Sequence, residues 1–435
     1  MDKMIYEQFT KLLHRELIPA MGCTEPIAIA YAGATAKKNL GKMPEHCHVK
    51  CSGNIVKNVK GVVVPKSGGL RGIEIAAILG IVGGDSARGL DVLDTVTQED
   101  LALSRKLLGK NFCDCELAEG VANLYLSMEV VSGEDSALVE ISNYHTNITR
   151  IERNGQVIFA KTEKAQAEYD DCKKNLCVKN ILEYADSLEV RDIKDVLEKQ
   201  LEYNCAIAKE GLSGKWGVNV GKNLLEMSLP VSRSVKAAAW AAAGSDARMN
   251  GCAMPVMINS GSGNQGMAVC LPVYSYAEDL DIPHEDLLRA LAAANLISLH
   301  QKRHIGSLSA YCGATSAACG AACGIAYMLC GRKMAEGTSD AKERHKIICA
   351  VITNTICTIG GMACDGAKSS CAAKIAAAVQ TALLSLELSF KGLAFQPGEG
   401  LVMEDIEDTI SAVGRMGRDG MKSTDTEILN MMLGN

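Results

Sequence analysis

The sequence predicts an α+β protein with an N-terminal mixed α/β domain and a C-terminal, mostly α-helical, Ala-rich domain. Its 435 residues exceed the usual length of one domain, so two domains are expected, over residues 1–200 and 201–435. Alternating apolar and polar residues around Asn154-Gly155 predict a β-hairpin in the first domain. Alanine-rich runs separated by glycines predict helices in almost all of the chain after residue 205.

The first domain is predicted to begin with two helices. Apolar residues at helical spacing indicate a helix over residues 3–17, which ends near Pro19. Pro26 suits the first turn of a second helix, and Gly41 suits its C-cap. The loop between these helices has the sequence MGCTEP.

Strands and further helices are predicted over the rest of the first domain. β-Branched residues with Gly and Asn between them predict strands within residues 48–58 and 61–69. The apolar segment at 73–84 predicts a helix that ends at two glycines, and the hairpin is expected within residues 137–161. Residues 163–201 are charged, with a helical pattern, and are expected to connect the domains.

The helices of the second domain are predicted from four Ala-rich runs at residues 235–244, 287–297, 316–331 and 371–388. Residues 334–346 are polar and predict a surface loop. Residues 312–330 are apolar but contain Gly, Ser and Thr, which favours a buried helix preceded by a loop over a membrane span.

The charge pattern argues against nucleic acid as a partner, because the net charge is −6 and no long Lys/Arg run is present. The charged N-terminal segment does not resemble a secretory signal, so we expect a cytoplasmic protein with no membrane partner. A homodimer is compatible with the many apolar helices. The 18 cysteines are then expected to be reduced, and most of them to be small buried residues.

The first candidate site is the MGCTEP segment. Cys23 precedes a predicted helix start, where exposed N–H groups and the helix dipole lower the pKa of a thiol. Cys23 is therefore a candidate base or nucleophile, with Glu25 beside it. The alternative is an ordinary capping loop that contains a cysteine by chance.

The second candidate site is the glycine-rich segment at residues 259–266, NSGSGNQG. Backbone N–H groups of such a loop can converge on a carboxylate or a phosphate, and Ser260, Ser262 and Asn264 add polar side chains to Gly263. The segment lacks the Gly-Lys-Ser/Thr ending of a nucleotide-binding P-loop. A flexible turn between helices is the alternative.

The third candidate site consists of three cysteines in Gly/Ser/Thr-rich segments next to Ala-rich helices, namely Cys312, Cys364 and Cys371. Free N–H groups in such loops can hydrogen-bond to the sulfides of an iron–sulfur cluster. Three thiolates on a four-iron cluster leave one iron open as a Lewis acid. A structural zinc site would favour paired CxxC motifs, and the sequence has none.

The whole chain, including these three segments, resembles the L-cysteine desulfidase group, a serine dehydratase alpha-subunit-like family. The resemblance is carried by MGCTEP, SGSGNQG and CDGAKSSC, and it extends more distantly to iron–sulfur L-serine dehydratases. It implies an oxygen-sensitive [4Fe–4S] cluster with Cys364 and Cys371 as two ligands and Cys312 as the first. Cys319 competes with Cys312 for that role.

The resemblance also implies the function of the other residues and of the second domain, which would be catalytic and bind the cluster. Cys23 would act as the base, and the loop with Ser260, Ser262, Gly263 and Asn264 would hold the substrate carboxylate. The implied reaction converts L-cysteine to hydrogen sulfide, ammonia and pyruvate without pyridoxal phosphate. The alternatives are an L-serine dehydratase with the same cluster, a non-catalytic iron–sulfur sensor or sulfur carrier, and a zinc-stabilised structural protein.

Overall fold

A computed structural model describes residues 1–161, 172–227, 229–306 and 308–434, and it confirms the α+β class. The N-terminal region contains most of the strands. Strand β8 (Pro255–Met257) belongs to the C-terminal region. The strands of the N-terminal region are β1 (Pro19–Met21), β2 (His46–Cys51), β3 (Cys113–Leu117), β4 (Tyr125–Ser132), β5 (Asp135–Ser142), β6 (Ile148–Arg153) and β7 (Gln156–Ala160). Its helices are α1 (Lys3–Glu16), α2 (Thr24–Leu40), α3 (Gly53–Lys60), α4 (Ile73–Gly83) and α5 (Gln98–Leu108).

The C-terminal region is built from helices. They are α6 (Val178–Ser187), α7 (Lys194–Leu212), α8 (Val220–Met227), α9 (Arg233–Met249), α10 (Gly263–Asp279), α11 (His284–Ile305), α12 (Gly313–Ala335), α13 (Ala341–Ile359), α14 (Cys371–Phe390), α15 (Ile406–Arg415) and α16 (Lys422–Leu433). Helix α12 is central and packs on α10, α11, α13 and α14. Its alanines and glycines let these neighbours approach closely.

Strands β2 to β7 form one six-stranded sheet in the order β3-β2-β4-β5-β6-β7, in which only the β2–β3 pair is parallel. Helices α2 and α4 pack against each other, and both contact the sheet. Their contact is close because Gly80 lies against Ala30, where an added Cβ would meet the Ala30 carbonyl oxygen at 2.1 Å. Burial of the apolar faces of α2, α4 and the sheet makes the core of this region.

Two features connect the N-terminal and C-terminal regions. Strand β1 pairs antiparallel with β8, which joins the segment before the MGCTEP loop to the segment before the glycine-rich loop. Helix α7 continues across the division proposed at residue 200, which stays a prediction. The pairing of β1 with β8 matters for the site, because it brings two loops that are more than 200 residues apart to one place.

Several local predictions are confirmed. The first helix, the helix at Ile73–Gly83, and the hairpin with its turn at Asn154-Gly155 are present. The second helix begins at Thr24, two residues before Pro26, and its C-cap is Gly41 in a left-handed conformation. The connecting region is helical from residue 178 on, while its residues 163–171 lie outside the described residues.

Three local predictions are wrong. Residues 54–58 lie in α3 and not in a strand, because Ile55 and Val59 are four residues apart and bury the same helix face. Residues 61–69 form a turn-rich loop with a single bridge from Val63 to Arg71, since Pro65 and the following glycines end the β-branched run. The predicted surface loop at 334–346 is a short turn between α12 and α13.

Two helices among the described residues are long and apolar enough to cross a membrane by length and composition alone. In α12, 89% of the apolar window is buried inside the protein, and in α14 the buried share is 50%. Buried core helices pass the same test, so these two helices are weak evidence for a membrane span.

Candidate functional site

One cavity of about 100 Å³ is lined by residues from the N-terminal ends of four helices. Cys23 is the N-cap of α2, Ser262 is the N-cap of α10, Cys312 is the N-cap of α12, and Cys371 is the first residue of α14. None of the three N-cap side chains makes a capping hydrogen bond. The first-turn N–H groups therefore stay available, and four positive helix ends favour negative charge in this cavity.

The segments of Cys312 and Cys364 are joined by main-chain pairing, although they are about 50 residues apart. Tyr311 and Ala363 form an antiparallel bridge. The Cys312 N–H donates to the Met362 carbonyl oxygen at 2.8 Å, and the Cys364 N–H donates to the Ala310 carbonyl oxygen at 2.6 Å. This pairing places both thiols on the same cavity.

Cys371 reaches the cavity through a tight loop that begins after Cys364. Gly366 lies in this loop with a φ of +92°, and a Cβ there would meet the Lys57 carbonyl oxygen of α3 at 2.2 Å. The Cys371 thiol donates a hydrogen bond of 3.8 Å to the Gly366 carbonyl oxygen. Close packing on α3 thus fixes the loop between the two cysteines.

The structure separates the two competing cysteines of α12. Cys312 lines the cavity, whereas Cys319 is fully buried in the helix core beside the Cys323 thiol. All three cysteines that the sequence analysis named as cluster ligands line the cavity, whereas Cys319 does not.

The three thiols share their surroundings with several cations. Lys302 is buried near Cys364 and Cys312, and burial lowers the pKa of this lysine to about 8. Lys374 donates to the Ala363 carbonyl oxygen at 2.7 Å and also forms an ion pair with Asp365. Burial and the neighbouring Cys364 raise the pKa of Cys312 to about 12.

This donor set fits an iron–sulfur cluster held by three cysteines. These three cysteines are partly buried, and thiols that share a cavity ionise when a metal centre takes up their charge, because metal binding and thiol deprotonation are coupled. Among the described residues, no group of three or more His, Cys, Asp or Glu is arranged to hold a metal ion. In an iron–sulfur cluster each cysteine ligates a separate iron atom.

Cys23, Glu25 and His145 form a buried polar group that lines the same cavity. The Cys23 thiol donates a 2.9 Å hydrogen bond to Glu25 Oε2, and His145 Nε2 lies 3.6 Å from Glu25 Oε1. Burial alone would raise the pKa of Glu25. The interaction with His145 and the hydrogen bond from Cys23 have the larger combined effect, so the pKa of Glu25 is lowered to about 2. Glu25 is therefore ionised at neutral pH.

The expectation that the helix terminus lowers the pKa of Cys23 is wrong for this structure. Burial and the negative charge of Glu25 raise the pKa of Cys23 well above its ordinary value, and Arg248 offsets this only in part. The physical reason is that α2 begins inside the protein and not at its surface, so desolvation exceeds the effect of the dipole. The raised pKa of the thiol and the lowered pKa of the carboxyl make Cys23 the donor of this hydrogen bond.

The glycine-rich loop contributes to the same cavity as the three thiols and the Cys23–Glu25 pair. Ser260, Ser262 and Asn264 line the cavity, and Gly263 starts α10 against Arg248. The Ser260 hydroxyl donates to Asn259 Oδ1 at 2.8 Å, so it is already engaged within the loop. Thr24 ties the loop to α2 by donating to the Gly261 carbonyl oxygen at 2.9 Å.

Five buried polar atoms that have no hydrogen-bond partner in the described part of the chain belong to side chains lining this cavity. They are Arg248 Nη2, Asn264 Oδ1, Gln265 Oε1, the Tyr311 hydroxyl and His145 Nε2, the last of which lies within ion-pair distance of Glu25. Each such atom costs about 1–3 kcal/mol when it stays unsatisfied. Their concentration in one cavity indicates a polar ligand that completes them.

Sequence reasoning missed several residues of this cavity, among them His145, Arg248, Gln265, Lys302 and Lys374. Gln265 lies in the glycine-rich segment and could have been included from its position. The others carry no local signal, because each is a single polar residue in an ordinary helix or turn that tertiary packing turns inward.

A larger cavity of about 830 Å³ adjoins the site. The two cavities share His145, Ser260, Gly261 and Lys302. The larger one is also lined by Lys161 and Arg303.

Comparison with known proteins identifies the family. The family described as "Serine dehydratase alpha chain" matches residues 87–430. A "UPF0597 protein" of Lachnoclostridium phytofermentans is 46% identical over 99% of this chain and 100% of its own length. Proteins of the same description from Finegoldia magna and Treponema denticola are 44% and 40% identical, over 98% and 100% of this chain and 99% of each relative.

The family match covers the glycine-rich loop and the three cavity cysteines, and it supports a lyase-type activity. The names of the relatives specify no activity. The chain belongs to the serine dehydratase alpha chain family.

Proposed function

We propose that the protein is an iron–sulfur-dependent lyase that converts L-cysteine to hydrogen sulfide, ammonia and pyruvate. The observation that carries this proposal is the common cavity of Cys312, Cys364 and Cys371 with the Cys23–Glu25 pair. The proposed cluster ligands and the proposed proton-transfer pair line one cavity, and Cys371 packs against the small apolar cluster that contains Cys23.

Cys312, Cys364 and Cys371 would hold a [4Fe–4S] cluster. When bound, a cluster with three cysteine ligands supplies an open iron that acts as a Lewis acid toward the leaving group of the substrate. Lys302 and Lys374 place positive charge beside these thiolates. The N-termini of α12 and α14 add their dipoles to the same effect.

The glycine-rich loop would bind and orient the substrate. The first-turn N–H groups of α10 are not capped by Ser262, so they can donate to a carboxylate. Ser260, Ser262, Gly263 and Asn264 surround this position at the start of the helix. The bond from Thr24 to Gly261 fixes the loop relative to Cys23.

Cys23 and Glu25 would move the α-proton as a relay. Cys23 Sγ accepts the proton from Cα while its own proton passes to Glu25 Oε2 along the existing 2.9 Å hydrogen bond. The Cα electron pair forms the Cα–Cβ double bond, and the Cβ–S bond breaks with its electron pair going to sulfur. The departing HS⁻ takes up the proton from Glu25 and leaves as hydrogen sulfide, which restores the carboxylate. The resulting aminoacrylate becomes an imine, and water hydrolyses it to pyruvate and ammonia.

L-Serine dehydratase is the second candidate function, and the family match favours it directly. Serine carries a hydroxyl where cysteine carries a thiol, so the same relay and loop would serve either substrate. Comparing sulfide released from cysteine with pyruvate formed from serine on one sample separates the two activities.

The testing experiment is anaerobic reconstitution followed by iron and acid-labile sulfide counts and turnover assays. About four irons and four sulfides per chain, with multiple turnovers of cysteine, support the proposal. Stoichiometric sulfide transfer without turnover would instead favour a sensor or sulfur carrier, and zinc without iron would favour a structural site.

We further propose a cytoplasmic location, no nucleic-acid or membrane partner, and a homodimer. The charge pattern and the covered helix α12 support the first two proposals. Light scattering at micromolar concentration tests the homodimer.

A further inference from the structure

Arg248 is a buried charge with no counter-ion among the described residues. Its side chain is 2% exposed, and no carboxylate of the described chain forms an ion pair with it. The Nε atom donates to the Gly22 carbonyl oxygen at 2.8 Å, while Nη2 has no partner. A guanidinium stays charged at all physiological pH values, so its burial without an anion is strongly unfavourable.

The guanidinium is held in a fixed place at the start of α10. A Cβ added to Gly263 would meet Arg248 Nε at 2.5 Å, so the group packs directly on the first residue of that helix. The N-cap Ser262 leaves the first-turn N–H groups uncapped. The positive end of α10 and the guanidinium therefore favour an anion at the same place.

Two unsatisfied acceptors lie beside this positive region. Asn264 donates its Nδ2 to the sulfur of Met249 at 3.5 Å, which leaves Oδ1 without a partner. Gln265 packs against Gly313, next to Cys312, and its Oε1 is also unpaired. One unpaired cationic donor and two unpaired amide oxygens match the carboxylate and the ammonium of a zwitterion.

The other buried cation of the cavity has a different environment. Lys302 faces the thiols of Cys364 and Cys312, so its charge is directed to the cluster side. Arg248 lies near Cys23 and the glycine-rich loop, on the side where the α-carbon of a substrate would be processed.

We infer that Arg248 is the anchor for the carboxylate of an α-amino acid, and that Asn264 Oδ1 and Gln265 Oε1 receive its ammonium group. This inference rests on the proposed function and specifies its substrate class as a zwitterion with both charges free. It also assigns Gly263 a role, because any side chain there would displace the guanidinium.

The test measures binding of unreactive ligands to the anaerobic, iron-replete protein by calorimetry. L-Alanine has both charges and no leaving group, L-alaninamide lacks the carboxylate, and propionate lacks the ammonium. The wild-type protein is expected to bind L-alanine at least ~100-fold more tightly than L-alaninamide, because the amide leaves the buried charge unpaired. Arg248→Gln should lower this ratio to below ~10, and Arg248→Lys should give an intermediate value.

Arg344→Lys is the matched control, since Arg344 is equally buried but pairs with Asp186 outside the cavity. It should keep the wild-type ratio. Gln265→Leu should lower the preference for L-alanine over propionate while keeping the preference over L-alaninamide. The cluster absorbance of every variant reports whether its fold is intact.

A wild-type ratio retained in Arg248→Gln, or a wild-type protein that binds L-alanine and L-alaninamide equally, would overturn the inference. These outcomes differ from failure of the proposed function. If cysteine and serine are not turned over but L-alanine binding still depends on Arg248, the anchor stands and the lyase proposal fails.

Discussion

The thiol of Cys23 donates a hydrogen bond to the carboxylate of Glu25, two residues further along the chain, and both side chains are buried. The bond turns a loop cysteine into half of a proton-sharing pair. Burial and the nearby ionised carboxylate raise the pKa of this thiol, although the thiol lies at a helix N-terminus.

Removing either half of this pair should abolish turnover and leave the cluster in place. Cys23→Ala removes the proposed acceptor of the α-proton, and Glu25→Gln removes the carboxylate that takes up the second proton. Each change should lower kcat by about 100-fold or more, the usual contribution of a positioned acid or base. Anaerobic absorbance and steady-state assays measure both effects, and cluster loss in Cys23→Ala would reassign Cys23 as a ligand.

Cys312, the N-cap of α12, and Cys319, inside the same helix, form a matched pair of cysteines. Cys312→Ser should reduce the iron content and abolish activity, because this thiol lines the cavity. Cys319→Ser should retain the iron, because that thiol packs beside Cys323 in the core. The prediction is checked by iron counts after anaerobic purification, and the reverse pattern would make Cys319 the ligand.

Gly366 should be essential for the loop that joins Cys364 to Cys371. Alanine at this position would have an unfavourable φ of +92° and would place a Cβ 2.2 Å from the Lys57 carbonyl oxygen. We expect Gly366→Ala to lose the cluster and to lower stability by about 1–3 kcal/mol.

Gly331→Ala serves as the control for this change. Gly331 lies in α12 with no atom within 4 Å of an added Cβ, so alanine there should stabilise the protein by about 0.5–1 kcal/mol. Denaturant melts and iron counts measure both variants. Normal iron content in Gly366→Ala would show that the loop tolerates rearrangement.

Asp246 should make the stability of the protein decrease as pH rises. It is fully buried in α9, where its Oδ2 accepts a 2.9 Å hydrogen bond from the Gly221 N–H. Burial raises the pKa of Asp246 from 3.8 to about 6, and the backbone hydrogen bonds offset this only in part. Because the pKa of Asp246 is raised in the folded protein, this residue contributes fully to the free energy of unfolding below pH 3.8. The contribution is lost as the pH rises through about 6.

Asp246→Asn should therefore increase the free energy of unfolding at pH 8 by about 1–3 kcal/mol and have a smaller effect at pH 5. Urea melts at both pH values measure the difference. Equal effects of the substitution at pH 5 and pH 8 would show that Asp246 does not titrate in this range.

The sequence predicted local structure best where the spacing of apolar residues and the positions of turn residues indicate the same element. Ile73–Gly83 is a helix that ends at two glycines, and Asn154-Gly155 turns a hairpin, as expected. Prediction was wrong where one pattern fits two structures. Residues 54–58 are β-branched enough for a strand, but the four-residue spacing of Ile55 and Val59 fits α3, and packing chose the helix.

The sequence by itself determined the α+β class and the candidate residues of the three polar segments, because turn residues, apolar spacing and reactive side chains are local properties. Only the tertiary structure decided that these segments share one cavity, through the β1–β8 pairing and the Tyr311–Ala363 bridge. It also decided that burial raises the pKa of Cys23 and that Arg248 and His145 line the cavity. Proximity and desolvation arise from contacts between residues up to several hundred positions apart, which no local pattern encodes.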